Sequence, residues 1–236
     1  MSIQITLSAN AGVSITIGNT RLWVDALHQT AVNGFSTLSQ EQVKSVFASE
    51  AFAAPQAVIF THCHPDHYHK SLVRKAVNLW PETKLILPQQ EFDRQVLLQA
   101  DDETIPLAGV NLHFMRLMHE KEEFHEVPHY GLEIFTPDCS ILIPGDCAVA
   151  SPKLYEWIQG KQYRLALFNF PWVTLKKGRS FIEENLQTEQ LLIYHLPFAE
   201  QDTEHYRRAA SIGCDQLKSN IKAELFCDFM RTVNID

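Results

Sequence analysis

The chain has 236 residues, 45% of them hydrophobic, so it is long enough to bury a substantial core. Its formal net charge of −8 at pH 7 disfavours nucleic-acid binding, because phosphate backbones are bound by clustered Lys and Arg. Residues 1–20 contain no Lys or Arg and every apolar stretch is short, so we expect no signal peptide, no membrane span and a cytoplasmic location.

The first predicted elements are short strands at residues 3–7, 13–17 and 21–27, rich in β-branched residues. Turn-forming residues separate them, which indicates an antiparallel meander. A capping box formed by Ser39 and Gln42 then predicts a helix that runs to about Ala48. A short apolar strand is predicted next, at residues 57–60.

The rest of the chain alternates between helical and extended patterns. The predicted helices are 70–80, 89–99, 152–159, 181–186 and 202–218, and the predicted strands are 84–87, 111–117, 129–136, 140–143, 165–170 and 191–195. A run of strands followed by alternating strands and helices occurs twice along the chain. This pattern indicates an α/β (α+β) fold in which two mixed sheets pack together with helices outside. No linker or internal repeat divides residues 1–236, so we expect a single domain.

A cluster of histidines follows the strand at residues 57–60, in the run Thr-His-Cys-His-Pro-Asp-His-Tyr-His at 61–69. Imidazole nitrogens and carboxylate oxygens are common donors to zinc and related metals. An extended backbone would place His62 and His64 on one face, and the turn at Pro65 would let Asp66 and His67 face a second ion. The pattern therefore predicts a metal site with two pockets.

Two other strands end in residues that could complete such a site. The strand at 140–143 leads into Pro144, Gly145 and Asp146, and the strand at 191–195 ends in His195. A carboxylate at Asp146 could bridge two cations with its two oxygens. Asp25, at the end of an earlier strand, is a candidate to accept a hydrogen bond from a ligating histidine.

Taken together, these residues resemble the metallo-β-lactamase fold hydrolases, whose signature is His-x-His-x-Asp-His, then a His, then an Asp after a Gly, then a last His. The resemblance covers nearly the whole chain and extends to the lactonase-like and ribonuclease Z-like small members. It implies a four-layer αββα sandwich in which His62, His64 and a third histidine hold one metal. It further implies that Asp66, His67 and His195 hold the other metal and that Asp146 bridges the two.

The third histidine is ambiguous, because His113, His119, His125 and His129 all lie in the right interval. We choose His125, since residues 125–131 are similar to the family's His-x-x-Pro-x-x-Gly form. His129 is the second choice. His113 lies inside a predicted strand and is expected to be structural, while His119 and His69 are expected to be outer-shell or surface residues.

The resemblance also implies a function, a binuclear metal-dependent hydrolase that acts on a small-molecule ester, lactone, thioester or phosphoester. Two divalent ions would activate a water, and Asp66 would act catalytically by orienting or deprotonating it. Zinc is preferred, and manganese and iron suit the same donors. Two alternatives stay open: an iron-dependent oxidoreductase or oxygen-handling protein on the same fold, and a noncatalytic metal-binding domain. The substrate-binding residues and the oligomeric state cannot be assigned from the sequence.

Overall fold

The computed structural model describes residues 2–107, 109–218 and 221–235. Its helices are α1 (Gln40–Ala48), α2 (Lys70–Leu79), α3 (Pro152–Ile158), α4 (Pro171–Thr174), α5 (Lys176–Asn185) and α6 (Tyr206–Asp215). Its strands are β1 (Ile3–Leu7), β2 (Val13–Ile17), β3 (Thr20–Val24), β4 (Ala57–Ile59), β5 (Lys84–Leu87), β6 (Val96–Leu97), β7 (Asp102–Leu107), β8 (Val110–Arg116), β9 (Tyr130–Thr136), β10 (Cys139–Ile143), β11 (Tyr163–Asn169), β12 (Thr188–Tyr194), β13 (Lys222–Leu225) and β14 (Thr232–Ile235). No helix on the described part of the chain is both long enough and apolar enough to span a membrane.

The strands form two mixed sheets, each with seven strands among the described residues. The first has the order β14-β1-β2-β3-β4-β5-β6, and the second has the order β13-β12-β11-β10-β9-β8-β7. In each sheet an antiparallel meander changes to parallel pairing, at β3–β4 in the first and at β10–β11 in the second. The parallel strands of each sheet therefore end at the same edge.

Three apolar clusters arrange these sheets and helices in layers. The largest joins the facing sides of the two sheets and includes the buried residues Ile5, Ile15, Leu112, Ile141 and Leu165. A second cluster packs α1 and α2 on the outer face of the first sheet, and a third packs α3 to α6 on the outer face of the second. Because both sheets are covered on both faces, their central strands are almost continuously apolar. The αββα sandwich expected from the sequence is confirmed.

Most predicted elements are present with shifted ends, and the capping box at the start of α1 is confirmed by hydrogen bonds between Ser39 and Gln42 in both directions. The helix predicted at residues 89–99 is wrong. The side chain of Gln95 accepts hydrogen bonds from the backbone N–H groups of Glu91 and Phe92 and donates to the carbonyl of Gln89, which stabilises a loop instead. The end of this segment then pairs with β5 as the short strand β6. The edge strands β7, β13 and β14 were not predicted.

Candidate metal centre

The candidate metal centre lies where strands of both sheets end. His62 to His67 follow β4, Asp146 follows β10, and His195 follows β12 directly. In α/β folds ligand sites form at the carboxyl ends of the strands, because successive parallel strands deliver their following residues to one edge. Residues far apart in the sequence therefore meet here.

The side chain of His62 is oriented by a chain of hydrogen bonds that begins at Asp25. Asp25 accepts hydrogen bonds from the backbone N–H of Thr61 at 2.8 Å and from its hydroxyl at 2.7 Å. The hydroxyl proton is thereby used, so Thr61 Oγ1 accepts from Nδ1–H of His62, 3.0 Å away. The other ring nitrogen, Nε2, is buried and has no partner among the described residues, as expected for an atom that faces a metal.

Within the described residues, three groups of side chains have ligand atoms that all lie within 4.8 Å of one another. The groups share members: the first is His62, His64 and His119, the second is His62, His67 and Asp146, and the third is Asp66, His67 and His195. The first and third groups correspond to the two metal pockets implied by the sequence resemblance, apart from the identity of one histidine. The second group joins them.

The structure places His119 in the position expected for His125. His119 is buried, and its ring centroid lies 4.8 Å from that of His64 and 5.2 Å from that of His62. His125 follows the short 3₁₀ turn Glu122–Phe124, is exposed, and lies outside all three groups of the described chain. His119 therefore replaces His125 as the proposed third histidine of the first pocket.

His129, the second choice for this ligand, has both ring nitrogens occupied by the backbone. Its Nδ1 lies 3.2 Å from the carbonyl oxygen of Leu117, and its Nε2 accepts a hydrogen bond from the backbone N–H of Asp146 at 2.9 Å. Gly145 has a φ of +63°, and a Cβ there would lie 2.6 Å from this Nε2 atom. His129 therefore holds the turn that carries Asp146, and only a glycine leaves room for it.

The third group brings two ring nitrogens and a carboxylate together. Nε2 of His67 lies 3.1 Å from Nε2 of His195, which in turn lies 3.2 Å from Oδ2 of Asp66. On its other side, Nδ1 of His67 lies 3.1 Å from Oδ2 of Asp25. Asp25 thus contacts residues of both outer groups, directly at His67 and through Thr61 at His62. This is the supporting position expected for it from the sequence.

Asp146 lies between the outer groups. Its Oδ2 is 3.3 Å from Nε2 of His67, 3.8 Å from Nε2 of His195 and 3.9 Å from Nε2 of His119. The side-chain amide of Asn169, at the end of β11, donates to its Oδ1 at 3.3 Å. One carboxylate oxygen therefore faces histidines of both pockets.

Burial and charge set the protonation of these groups. Burial lowers the pKa of His119 to about 3 and lowers the pKa of His62 well below its usual value, so both imidazoles are neutral at pH 7. Burial also disfavours the charged form of His67, but Asp146, Asp66 and Asp25 outweigh it and raise the pKa of His67. Burial alone would raise the pKa of Asp146, yet His195 and His67 lower it below its ordinary range. Neutral imidazoles and ionised carboxylates are the forms that bind metals, so His62, His119 and Asp146 are already in the binding form, whereas His67 would have to release a proton.

Solved structures with the same architecture were found by comparison of the fold. A metallo hydrolase from the hyperthermophilic archaeon Ignicoccus hospitalis matches with a TM-score of 0.66 and 13% identity, over 100% of this chain and 99% of that one. The metallo-β-lactamase fold protein YhfI from Bacillus subtilis matches with a TM-score of 0.65 and 12% identity, over 99% of both chains. This chain has the metallo-β-lactamase fold.

A third similar structure is a diiron β-hydroxylase from Streptomyces venezuelae, with a TM-score of 0.65 and 13% identity over 98% of this chain and 54% of that one. No protein-family model matches the chain. The search of curated proteins found no match either.

The residues of this metallo-β-lactamase fold protein fit the binding of divalent metal. The Nε2 atoms of His62 and His119 are buried without a hydrogen-bond partner in the described structure, although both atoms face other polar groups of the site. Burying a polar nitrogen without a partner is costly, and a metal ion would supply that partner. The donor set of imidazoles and carboxylates also suits divalent ions of the zinc, manganese and iron type.

Other residues beside the centre were missed or only partly seen from the sequence. Phe124 packs its ring against His64, and Phe35 packs against His195, with centroids 4.4 Å apart in each pair. His28 is completely buried near the third group, and burial lowers its pKa to about 4. The sequence contained no signal for Phe124.

Proposed function

We propose that this protein is a binuclear metal-dependent hydrolase that acts on a small ester, lactone, thioester or phosphoester. The observation that carries the proposal is the position of Asp146, whose Oδ2 lies within 3.9 Å of Nε2 atoms from both outer histidine groups. A carboxylate in this position could contribute to both ions and would hold them close together. The similar architecture of a metallo hydrolase supports the same reaction class.

Seven side chains would hold the two ions. The first ion would be bound by His62, His64 and His119, and the second by Asp66, His67 and His195, with Asp146 contributing to both. His62 and His67 are oriented through Asp25, so their free ring nitrogens are aimed at the ions before binding. This preorganisation lowers the cost of assembling the site.

Divalent ions bound by these residues would lower the pKa of water to about 7 and would polarise the oxygen of the bond under attack. Asp66 would accept a hydrogen bond from the attacking water and orient it. His67 and His195 favour this role, because they overcome the effect of burial and hold the pKa of Asp66 below its ordinary value. The Asp66 carboxylate is therefore ionised at neutral pH and available as an acceptor.

Zinc is the metal we propose, and manganese or iron would suit the same donors. The similarity to a diiron β-hydroxylase supports a second candidate, an iron-dependent protein that handles oxygen. A noncatalytic metal-binding protein is the third. The acidic net charge continues to favour a small-molecule substrate over nucleic acid.

Metal analysis combined with a substrate panel separates these candidates. We expect two zinc or manganese ions per chain and hydrolysis of at least one member of a panel of chromogenic esters, thioesters, lactones and phosphodiesters. Iron with oxygen consumption would favour the second candidate, and bound metal without turnover would favour the third. A protein that retains no divalent metal after exposure to an excess would contradict all three.

The variant Asp146→Asn tests the bridging role. We expect it to lower the affinity for both ions together and to abolish hydrolysis, because the amide lacks the charge that two cations share. Loss of one ion with full retention of the other would contradict bridging. Asp138→Asn, in the exposed turn between β9 and β10, is a matched control and should keep both ions.

A further inference from the structure

An aromatic ring covers the outer side of the first histidine group. Phe124 ends the short 3₁₀ turn Glu122–Phe124, and its centroid lies 4.4 Å from that of His64 and 5.2 Å from that of His119. Both Phe124 and His64 are only partly buried, whereas His62 and His119 are buried. The first pocket is therefore open to solvent beside His64, and Phe124 forms part of that opening.

A second ring covers the other end of the centre. Phe35 is partly buried, and its ring centroid lies 4.4 Å from that of His195. The loop that carries it is held in place at the next residue, because the backbone N–H and carbonyl of Ser36 exchange hydrogen bonds of 2.9 Å with the side chain of Asn10. The hydroxyl of Ser36 also accepts from the backbone N–H of Phe198 at 2.7 Å. Phe35 is thus presented by a fixed loop.

Two further aromatic rings pack behind the loop that carries Phe35. The adjacent Gly34 lies close to the ring of Tyr206, since a Cβ at Gly34 would be 3.2 Å from Cε2 of that ring. Tyr206 in turn stacks on Phe170, with centroids 4.7 Å apart. Phe170 follows Asn169, whose amide donates to Asp146. The rings of Tyr206 and Phe170 are partly buried and pack against the apolar cluster on the outer face of the second sheet, so they support the loop of Phe35 from that side.

The charges near the opening are mostly negative. Residues 120–126, which carry Phe124, contain four Glu and one Lys. Lys121 lies over the ring of Phe124, with its Nζ atom 5.6 Å from the centroid, and Glu120 lies 3.7 Å from Lys177. The remaining carboxylates of Glu122, Glu123 and Glu126 are exposed. An anionic group that entered beside Phe124 would be repelled by them.

From these observations we infer that the substrate carries an uncharged aryl group, or an apolar group of similar size, next to the bond that is hydrolysed, and that this group lies between Phe124 on the side of His64 and Phe35 on the side of His195. The inference rests on the proposed function and narrows its substrate class to neutral esters, thioesters or lactones rather than phosphoesters. Ligand sites commonly combine apolar and aromatic walls with a few polar groups at the point of chemistry. Here the walls are the phenyl rings, and the polar groups are the histidines and carboxylates behind them.

Two hydroxamates that differ only by a phenyl ring test the inference by binding rather than turnover. Calorimetry with zinc-loaded protein should give an affinity for phenylacetohydroxamate about tenfold higher than for acetohydroxamate, because the ring leaves water for an apolar wall. Phe124→Ala and Phe35→Ala should each lower this ratio by at least about threefold, while the affinity for acetohydroxamate changes less than about twofold. A carboxylate at the para position of the phenylacetohydroxamate ring should remove most of the gain in affinity over acetohydroxamate.

Control variants show whether Phe124 and Phe35 contact the ligand directly or only support the neighbouring histidines. Phe47 stacks on Trp80 between α1 and α2, on the outer face of the first sheet, so Phe47→Ala should leave the ratio unchanged. Phe124→Leu and Phe35→Leu keep an apolar contact with the imidazoles and should keep two zinc ions per chain while lowering the ratio. Equal binding of both hydroxamates by the wild-type protein would overturn the inference, as would tighter binding of the para-carboxylate.

The same measurements distinguish failure of the inference from failure of the proposed function. A preference for the phenyl ring without hydrolysis of methyl phenylacetate, or of any other member of the substrate panel, would leave the inference standing and count against a hydrolase. Hydrolysis of panel esters without any preference for the phenyl ring would support the hydrolase and contradict the inference about the aryl group.

Discussion

The backbone N–H of Asp146 donates a hydrogen bond to Nε2 of His129 at 2.9 Å. This bond explains why a completely buried histidine at the centre of the site is not a candidate ligand. Its acceptor nitrogen is already used to hold the turn that positions the carboxylate of Asp146, and its Nδ1 faces the carbonyl of Leu117. His129 would therefore affect a bound metal only through Asp146.

This role predicts that His129→Leu destabilises the metal-free protein. The buried N–H of Asp146 would lose its acceptor, which costs about 1–3 kcal/mol in the free energy of unfolding. Urea denaturation of metal-free wild type and variant measures the difference. A variant with unchanged stability that has lost one metal would instead indicate that His129 is a ligand.

The choice between His119 and His125 gives a second prediction. His119→Ala should remove metal from the first pocket and lower turnover by more than about 100-fold, because a direct ligand contributes at least as much as its hydrogen-bond partners do. His125→Ala is the matched control, since this histidine is exposed, and it should retain both ions. Metal content per chain and kcat/KM measure both effects. Loss of metal in His125→Ala, with both ions retained in His119→Ala, would identify His125 as the ligand.

Asp25 gives a third prediction, because it contacts both outer groups without belonging to either. Asp25→Asn should lower metal affinity by about 10–100-fold while leaving the number of sites unchanged at saturating metal. The amide still fills the space but accepts more weakly from Thr61 and no longer offsets charge on His67. Competition with a chromogenic chelator measures the affinity. Complete loss of one ion at saturation would indicate that Asp25 is itself a ligand.

The stability of the metal-free protein should depend on pH through its buried neutral histidines. Burial lowers the pKa of His28 and His129 to about 4, from an ordinary value of 6.5. Above pH 6.5 these imidazoles are neutral whether the chain is folded or unfolded. Between pH 6.5 and 4 only the unfolded chain takes up the protons, so the free energy of unfolding falls as the pH falls and this loss levels off below about 4.

The variant His28→Leu isolates part of this effect. Each pKa unit corresponds to about 1.4 kcal/mol, so removal of His28 should make the decline between pH 7.5 and pH 4.5 smaller by a few kcal/mol. Urea unfolding of the metal-free protein at several pH values provides the measurement. The exposed histidine variant His125→Ala should keep the wild-type decline. An identical decline in His28→Leu would show that this imidazole does not stay neutral in the folded chain.

Several features of the site were readable from the sequence because they depend on local structure. The run at residues 61–69 follows a short apolar strand, and the strands before Asp146 and His195 are continuous apolar segments. Residues directly after such strands reach one edge of a sheet whatever the details of packing. The same rule applied to β8 would have favoured His119, which lies just beyond that strand.

The remaining features were decided by tertiary contacts. His119 reaches the site because it pairs with Cys147 in an isolated bridge and because the next residue, Glu120, donates its backbone N–H to the carbonyl of Asp146. The segment at 89–99 has helical periodicity, but pairing with β5 and the hydrogen bonds of Gln95 favour a loop and a strand.

The sequence by itself determined which kinds of ligand are present and that strand ends deliver them, because alternation and apolar runs are local properties of the chain. Only the tertiary structure decided which of four intervening histidines faces the others. Each of those imidazoles has the same chemistry, and tertiary contacts separate them. The ring nitrogens of His129 contact backbone groups, those of His113 face the carboxylates of Glu133 and Asp102, and His125 is exposed. The tertiary structure also decided which aromatic rings border the centre, since Phe35 and Phe124 come from loops whose paths depend on contacts distant in sequence.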